Sequence, residues 1–157
     1  MKLKTVTAAA LAAATLGLSL AASAQSIGKP EDNIRWRQSA YHTMAWSMGR
    51  IKANIDGTYN KDQVIQAANV IQAIANSGLG ALFPAGTDSG KGHKETRLKS
   101  DFFKDSPKVV EVATAFNKEA NEMAKLAATG DAAAVKAQFG KLGASCKGCH
   151  DPFRKEE

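Results

Sequence analysis

The chain has 157 residues, 21 basic against 15 acidic residues for a formal charge of +6, 44% hydrophobic content and two cysteines. That composition describes one globular domain with a real core, and it excludes a disordered chain and a disulfide-dense scaffold. The basic residues are scattered, with no run of like charge and no aromatic-interleaved basic stripe, so composition argues against nucleic acid as a partner.

The chain opens with Lys2 and Lys4, an uncharged Ala/Leu-rich stretch from Thr5, and the small-x-small triplet Ala22-Ser23-Ala24 before Gln25. A positive start, an apolar middle and a small-residue site read as a secretory signal peptide cleaved after Ala24. The Leu-bearing part, Ala8 to Leu20, is shorter than the roughly 20 residues that span a bilayer, which disfavours a retained anchor. Residues 1–24 are therefore expected to be removed. Residues 25–157 form the exported domain, located in a bacterial periplasm and free of the membrane once the signal is gone.

The first predicted helix runs from Pro30 to Ile55, where Ile34, Tyr41, Met48 and Ile55 recur every seven residues with Met44 and Ile51 in the intervening seam. Such a repeat sets one stripe against neighbouring helices at shallow angles. Gly57 stops it. Asn60 caps a second helix, with Gln63 three residues on and Tyr59 placed to pack on Val64; that helix carries Val64, Ala67, Ala68, Ile71, Ile74 and Ala75. Ser77 to Ser106 reads as a long crossover with a short helical turn near Leu98 to Phe103. Ser106 is expected as the cap of a third helix, with Pro107 behind it and an inward stripe of Val109, Ala113, Phe116, Ala120, Met123 and Ala127. Gly130 ends it. Asp131 caps the fourth helix, whose stripe is Val135, Phe139, Leu142, Cys146 and Cys149. With no strand alternation and no repeat, the fold class is all-α, an antiparallel four-helix bundle.

Two motifs invite chemistry. Gly86-Thr87-Asp88-Ser89-Gly90-Lys91-Gly92 resembles a phosphate loop only on the surface: its first glycine is Ala85, the residue after Lys91 is Gly92, and no strand precedes it. It reads as a flexible loop. Cys146-Lys147-Gly148-Cys149-His150 is different, since Cys-x-x-Cys-His is the attachment pattern of c-type haem. On a helix, residues three and four apart share a face, so two thiols reach the two vinyl groups of one porphyrin while the His150 imidazole reaches iron from the same side. A thioredoxin-type redox pair wants an adjacent βαβ unit, a structural zinc wants four ligands where only His42 and His93 lie outside the cluster, and a Cys146–Cys149 disulfide would strain a helical turn. One covalent haem per chain, with His150 as the metal ligand, is the reading that motif, export signal and cysteine supply share.

Only seven residues follow His150, none of them Met or His, so a sixth iron ligand cannot come from downstream. With Lys29-Pro30-Glu31 entering the first helix, Arg37-Gln38-Ser39-Ala40 within it and Gly143-Ala144-Ser145 leading into the cysteine motif, the chain resembles the cytochrome c′ family of class II c-type cytochromes, over essentially all of Gln25 to Glu157. The resemblance implies a dimeric bacterial haem protein with five-coordinate iron, whose open face admits nitric oxide and carbon monoxide and poorly admits oxygen. It implies that Cys146 and Cys149 carry the thioethers and His150 the iron. It sets Tyr41 at the distal position, where a low-spin branch carries a ligating methionine, and it puts Arg37, with Gln38 beside it, near a haem propionate. Arg154 falls close to the proximal imidazole and Phe83 against the haem, while Gly80 stands where some relatives have a tryptophan. Pro152 departs from the pattern and is expected to kink or end the last helix near His150.

Periodicity alone leaves Tyr41 open to being a plain core tyrosine, Met44 a core methionine, His42 a surface residue and Arg37 a solvated arginine. Two functions follow. One is a gas-binding haem protein, not an enzyme, that has an electron-transfer role at most beside it. The other is a low-spin periplasmic electron carrier with methionine on the iron and a redox protein as partner.

Overall fold

The computed structural model describes residues 27–156, and the expected signal peptide lies outside them. Four helices follow in order: α1 (Pro30–Asp56), α2 (Lys61–Ala75), α3 (Ser106–Thr129) and α4 (Ala132–Phe153). Two 3₁₀ turns, Leu79–Leu82 and Ser100–Phe103, lie in the crossover between α2 and α3. The second was expected; the first was not. The architecture is the antiparallel four-helix bundle, and among the described residues no helix is long and apolar enough to cross a membrane.

The caps explain where the helices begin. Pro30 opens α1 and the Asp32 carboxylate accepts from the Lys29 N–H. The Asn60 side chain accepts from the Gln63 N–H at 3.1 Å to start α2. Asp105, one residue before the expected Ser106, caps α3 by accepting from the Lys108 N–H at 3.1 Å. Pro107 then falls in the first turn, where a missing N–H leaves no bond unmade. Gly130 ends α3 at φ +80°, a conformation that costs a side-chain-bearing residue about 1 kcal/mol or more. The Asp131 carboxylate accepts from the N–H groups of both Ala133 and Ala134, at 2.9 and 3.0 Å. Asp131→Ala is expected to lower stability by about 1 kcal/mol, read as a shifted midpoint in chemical denaturation.

The core gathers Met44 and Ile51 from α1, Val64, Ala67, Ala68, Ile71 and Ala75 from α2, Ala120, Met123, Ala124 and Ala127 from α3, and Val135 and Leu142 from α4. On α3, Val112 is buried and Ala113 is exposed, so the inward place expected of Ala113 falls to Val112. The seam of α1 is more polar than its heptad implied: Asn33, Arg37, Ser47 and Asn54 are buried beside Ile34, Met44 and Ile51. Met48 and Ile55 are half-buried. Asn33, Arg37 and Asn54 hold connecting segments, while the Ser47 hydroxyl is buried without a partner. Asn54, for example, donates to the Arg50 carbonyl and accepts from the Asn60 N–H, closing the α1–α2 connection.

Pro152 does not end α4. The helix runs on to Phe153, whose side chain is buried, and the Arg154 N–H still donates to the His150 carbonyl at 2.9 Å. The reason is tertiary: the crossover pins this end, with the Lys99 N–H on the Phe153 carbonyl and the Lys155 N–H on the Arg97 carbonyl. A proline in the last turn costs little when the chain beyond it is held from outside.

Around the bundle α1 packs on α2, α2 on α3 and α3 on α4, whereas α1 and α4 meet sparsely. The fold is therefore open along one seam, and that seam carries the cysteine motif.

Candidate functional site

Cys146, Cys149 and His150 all lie on α4, half-buried, at the spacing that puts them on one helical face. No disulfide joins the two cysteines. Burial pushes each thiol up, and the neighbouring Cys146 adds to this at Cys149. Across the seam stands Tyr41 of α1. Its phenol is also pushed up, first by burial and then by the charge it would share with Cys149, against the pull of Arg37. Tyr41 nonetheless leaves 38% of its surface accessible although it occupies an inward heptad position. An aromatic ring facing two thiols across a gap between otherwise packed helices fits a flat apolar macrocycle, which would cover the ring and the cysteines together. These residues therefore suit a haem.

His150 is held below the usual imidazole range, mainly by burial and then by Arg154. Nη1 of Arg154 lies 3.3 Å from His150 Nδ1. A cation there opposes a second ring proton, so it favours the neutral imidazole. Arg97 adds to that effect, while Asp151 opposes it. Leu98 and Arg154 form an isolated antiparallel bridge, so the crossover fixes the backbone that carries the arginine.

Arg37 is not a solvated arginine. It is 4% exposed, and its terminal nitrogens spend their N–H bonds on the crossover. Nη1 donates to the Leu82 carbonyl and the Thr87 hydroxyl, at 3.1 and 2.7 Å, and Nη2 to the Thr87 carbonyl and the Thr96 hydroxyl. That leaves only Nε–H for a carboxylate such as a propionate. Gln38, one residue on, clamps the same crossover. It donates to the Lys94 carbonyl at 2.9 Å and accepts from the His93 N–H at 2.7 Å. A Cβ on Gly92 would come within 2.6 Å of the Arg35 nitrogen, so this close approach to α1 requires glycine. The glycine-rich stretch expected to be a flexible loop is thus anchored, with Thr87 fully buried in it.

Phe83 makes contacts with both the Arg37 guanidinium and the Tyr41 ring. Met44 is 7% exposed and belongs to the core, and His42 is exposed. Thr87, Thr96, Phe102 and Phe153 were not legible as site residues. Their partners lie far along the chain, and neither threonine nor phenylalanine in a loop carries a pattern that names a distant arginine or ring.

The family model for cytochrome c′ matches residues 32–154. A cytochrome c′ of Rhodocyclus tenuis is 65% identical over 130 residues, covering 82% of this chain and 98% of its own. A solved cytochrome c′ with an unusual ligand-controlled dimer dissociation superposes at a TM-score of 0.80 with 50% identity, covering 82% of this chain and 98% of its own. At 30% identity and TM-scores of 0.72 and 0.73, variants of the Alcaligenes xylosoxidans cytochrome c′ have been solved with nitric oxide and with carbon monoxide, each covering 82% of this chain and 98% of its own. Matched from α1 to the last turn of α4, and with two cysteines where a haem attaches, the chain belongs to the cytochrome c′ family, and its cofactor is a covalently bound c-type haem.

Proposed function

We propose that this protein captures small diatomic gases, nitric oxide and carbon monoxide, at a haem iron held by His150 and left open on the side facing Tyr41. The observation that carries the reading is the identity of the residue opposite the cysteines. A neutral phenol is a poor iron ligand, and its ionisation is pushed further out of reach by burial. The one methionine near that register, Met44, is locked into the core with Ile51 and Val64. Once bound, the haem supplies an iron that takes up a diatomic ligand. The chain supplies the rest: Cys146 and Cys149 fix the macrocycle, His150 presents a lone pair, Arg154 keeps that ring from taking a second proton, and Tyr41 covers the opposite side. The diatomic complexes solved for the Alcaligenes xylosoxidans relative support the same role here.

The protein then acts by binding and release without turnover, and is not an enzyme. A signal peptide at residues 1–24 supports work in the periplasm. Exposed Trp36 and Trp46 on α1, with the dimer named for the solved relative, support a homodimer. Electron transfer to a redox partner is secondary, because an open coordination position adds reorganisation to each electron step.

The optical spectrum of the ferrous protein tests this directly. It is expected to be high-spin without added ligand and to convert to a low-spin form under carbon monoxide. A low-spin ferrous spectrum in the unliganded protein, abolished by Met44→Ala, would make Met44 the ligand and the protein an electron carrier.

A further inference from the structure

Phe83 belongs to the crossover, yet it is held from more than one side beside the site. The Arg37 guanidinium carbon lies 4.7 Å from its centroid. Phe102 stacks on it with centroids 4.8 Å apart and planes 25° from parallel. What Phe83 offers to Tyr41 is an edge-to-face contact, at 6.5 Å and 67°. The clamp is itself braced. Arg37 is fixed by its bonds to Leu82, Thr87 and Thr96, and Phe102 packs edge-on against Phe153 at the end of α4, with centroids 5.5 Å apart.

Tyr41, by contrast, makes its one aromatic contact among the described residues with Phe83. On a helix, χ1 of an aromatic residue has essentially two settings, and the choice between them falls to whatever the ring touches. The geometry points to Phe83 as a positioning residue: it holds the Tyr41 ring in its covering orientation and so sets how often a diatomic ligand finds the sixth position open. This rests on the gas-binding reading above and adds to it the part of the chain that tunes the rate. That part is a crossover loop outside the haem attachment, so its sequence can change the entry rate without touching Cys146, Cys149 or His150.

The test measures carbon monoxide association by flash photolysis on the ferrous holoprotein of wild type, Phe83→Ala, Phe83→Tyr, Tyr41→Ala and the Phe83→Ala/Tyr41→Ala double variant. Phe83→Ala is expected to accelerate association about three- to tenfold, the range that one lost aromatic pair accounts for. Phe83→Tyr, which keeps the ring, should stay near wild type. In the Tyr41→Ala background the Phe83 substitution should add nothing, because its effect runs through the tyrosine. A second readout needs no gas: nitration by tetranitromethane, mapped by mass spectrometry, should rise at Tyr41 in Phe83→Ala and stay constant at Tyr59. Phe102→Ala, which loosens the stack without touching Tyr41, should shift both readouts the same way by less. Full additivity in the double variant, or an unchanged Tyr41 nitration rate, would overturn the proposal. Equal rises at Tyr41 and Tyr59 would also overturn it, since they report general loosening. Failure of wild type itself to bind carbon monoxide would instead remove the gas-binding reading, so the two failures are distinguishable.

Discussion

Tyr41→Ala is expected to speed carbon monoxide association about 100-fold, which at 1.36 kcal/mol per decade is a barrier drop of about 2.7 kcal/mol. The magnitude follows from what the ring must give up when a ligand enters. Moving it off its seat breaks the edge-to-face contact with Phe83, worth about 0.5–1.5 kcal/mol. It also returns apolar surface to water, and full burial of an aromatic side chain would be worth about 1.5–3 kcal/mol. Because 38% of Tyr41 is already accessible, only part of the second contribution applies. Met44→Ala should do less, since Met44 is enclosed by the core and its removal opens space away from the seam. Flash photolysis of the two variants beside wild type decides the matter, and a larger acceleration in Met44→Ala would transfer the obstruction to that residue.

Arg37→Met is expected to destabilise the protein by about 3–5 kcal/mol, because it leaves several neutral acceptors without their donor, and a buried unpaired acceptor costs about 1–3 kcal/mol. Methionine fills similar space but donates nothing. The Leu82 and Thr87 carbonyls and the Thr87 and Thr96 hydroxyls would all lose their common donor. Thr87 is fully buried and its hydroxyl already donates to the Pro84 carbonyl, so it has no alternative within reach and no water to turn to. Arg37→Lys should recover part of the loss, because one ammonium keeps the charge but cannot span the positions that a planar fork reaches. Chemical denaturation at constant pH measures both variants. An Arg37→Met midpoint equal to wild type would mean that the crossover is held by Gln38 and the 3₁₀ turns without the guanidinium.

Much of the bundle was legible because its signals are local. Asn60, Gly130 and Asp131 mark helix ends through bonds to residues two to four positions away, and such bonds can be read along the chain. The cysteine motif is local in the same way: three and four residues of helical spacing are enough to gather Cys146, Cys149 and His150. Where the reading slipped, a nearby competitor won. Asp105 took the cap expected of Ser106, both being good acceptors one residue apart. Val112 took the inward place expected of Ala113.

The sequence by itself determined the four helices and the covalent haem, because helical periodicity, capping chemistry and the attachment motif act within a few residues. Tertiary structure alone decided three other things. It carried α4 past Pro152, because the crossover backbone bonds to Phe153 and Lys155 from outside the helix. It turned Arg37 from a candidate surface cation into a buried anchor, because its acceptors stand 45 to 59 residues away. It assembled the Tyr41, Phe83, Phe102 and Phe153 rings beside the seam from four separate stretches of chain. Ring contacts and buried hydrogen bonds depend on which surfaces meet, and that is fixed only when the crossover closes over the helices.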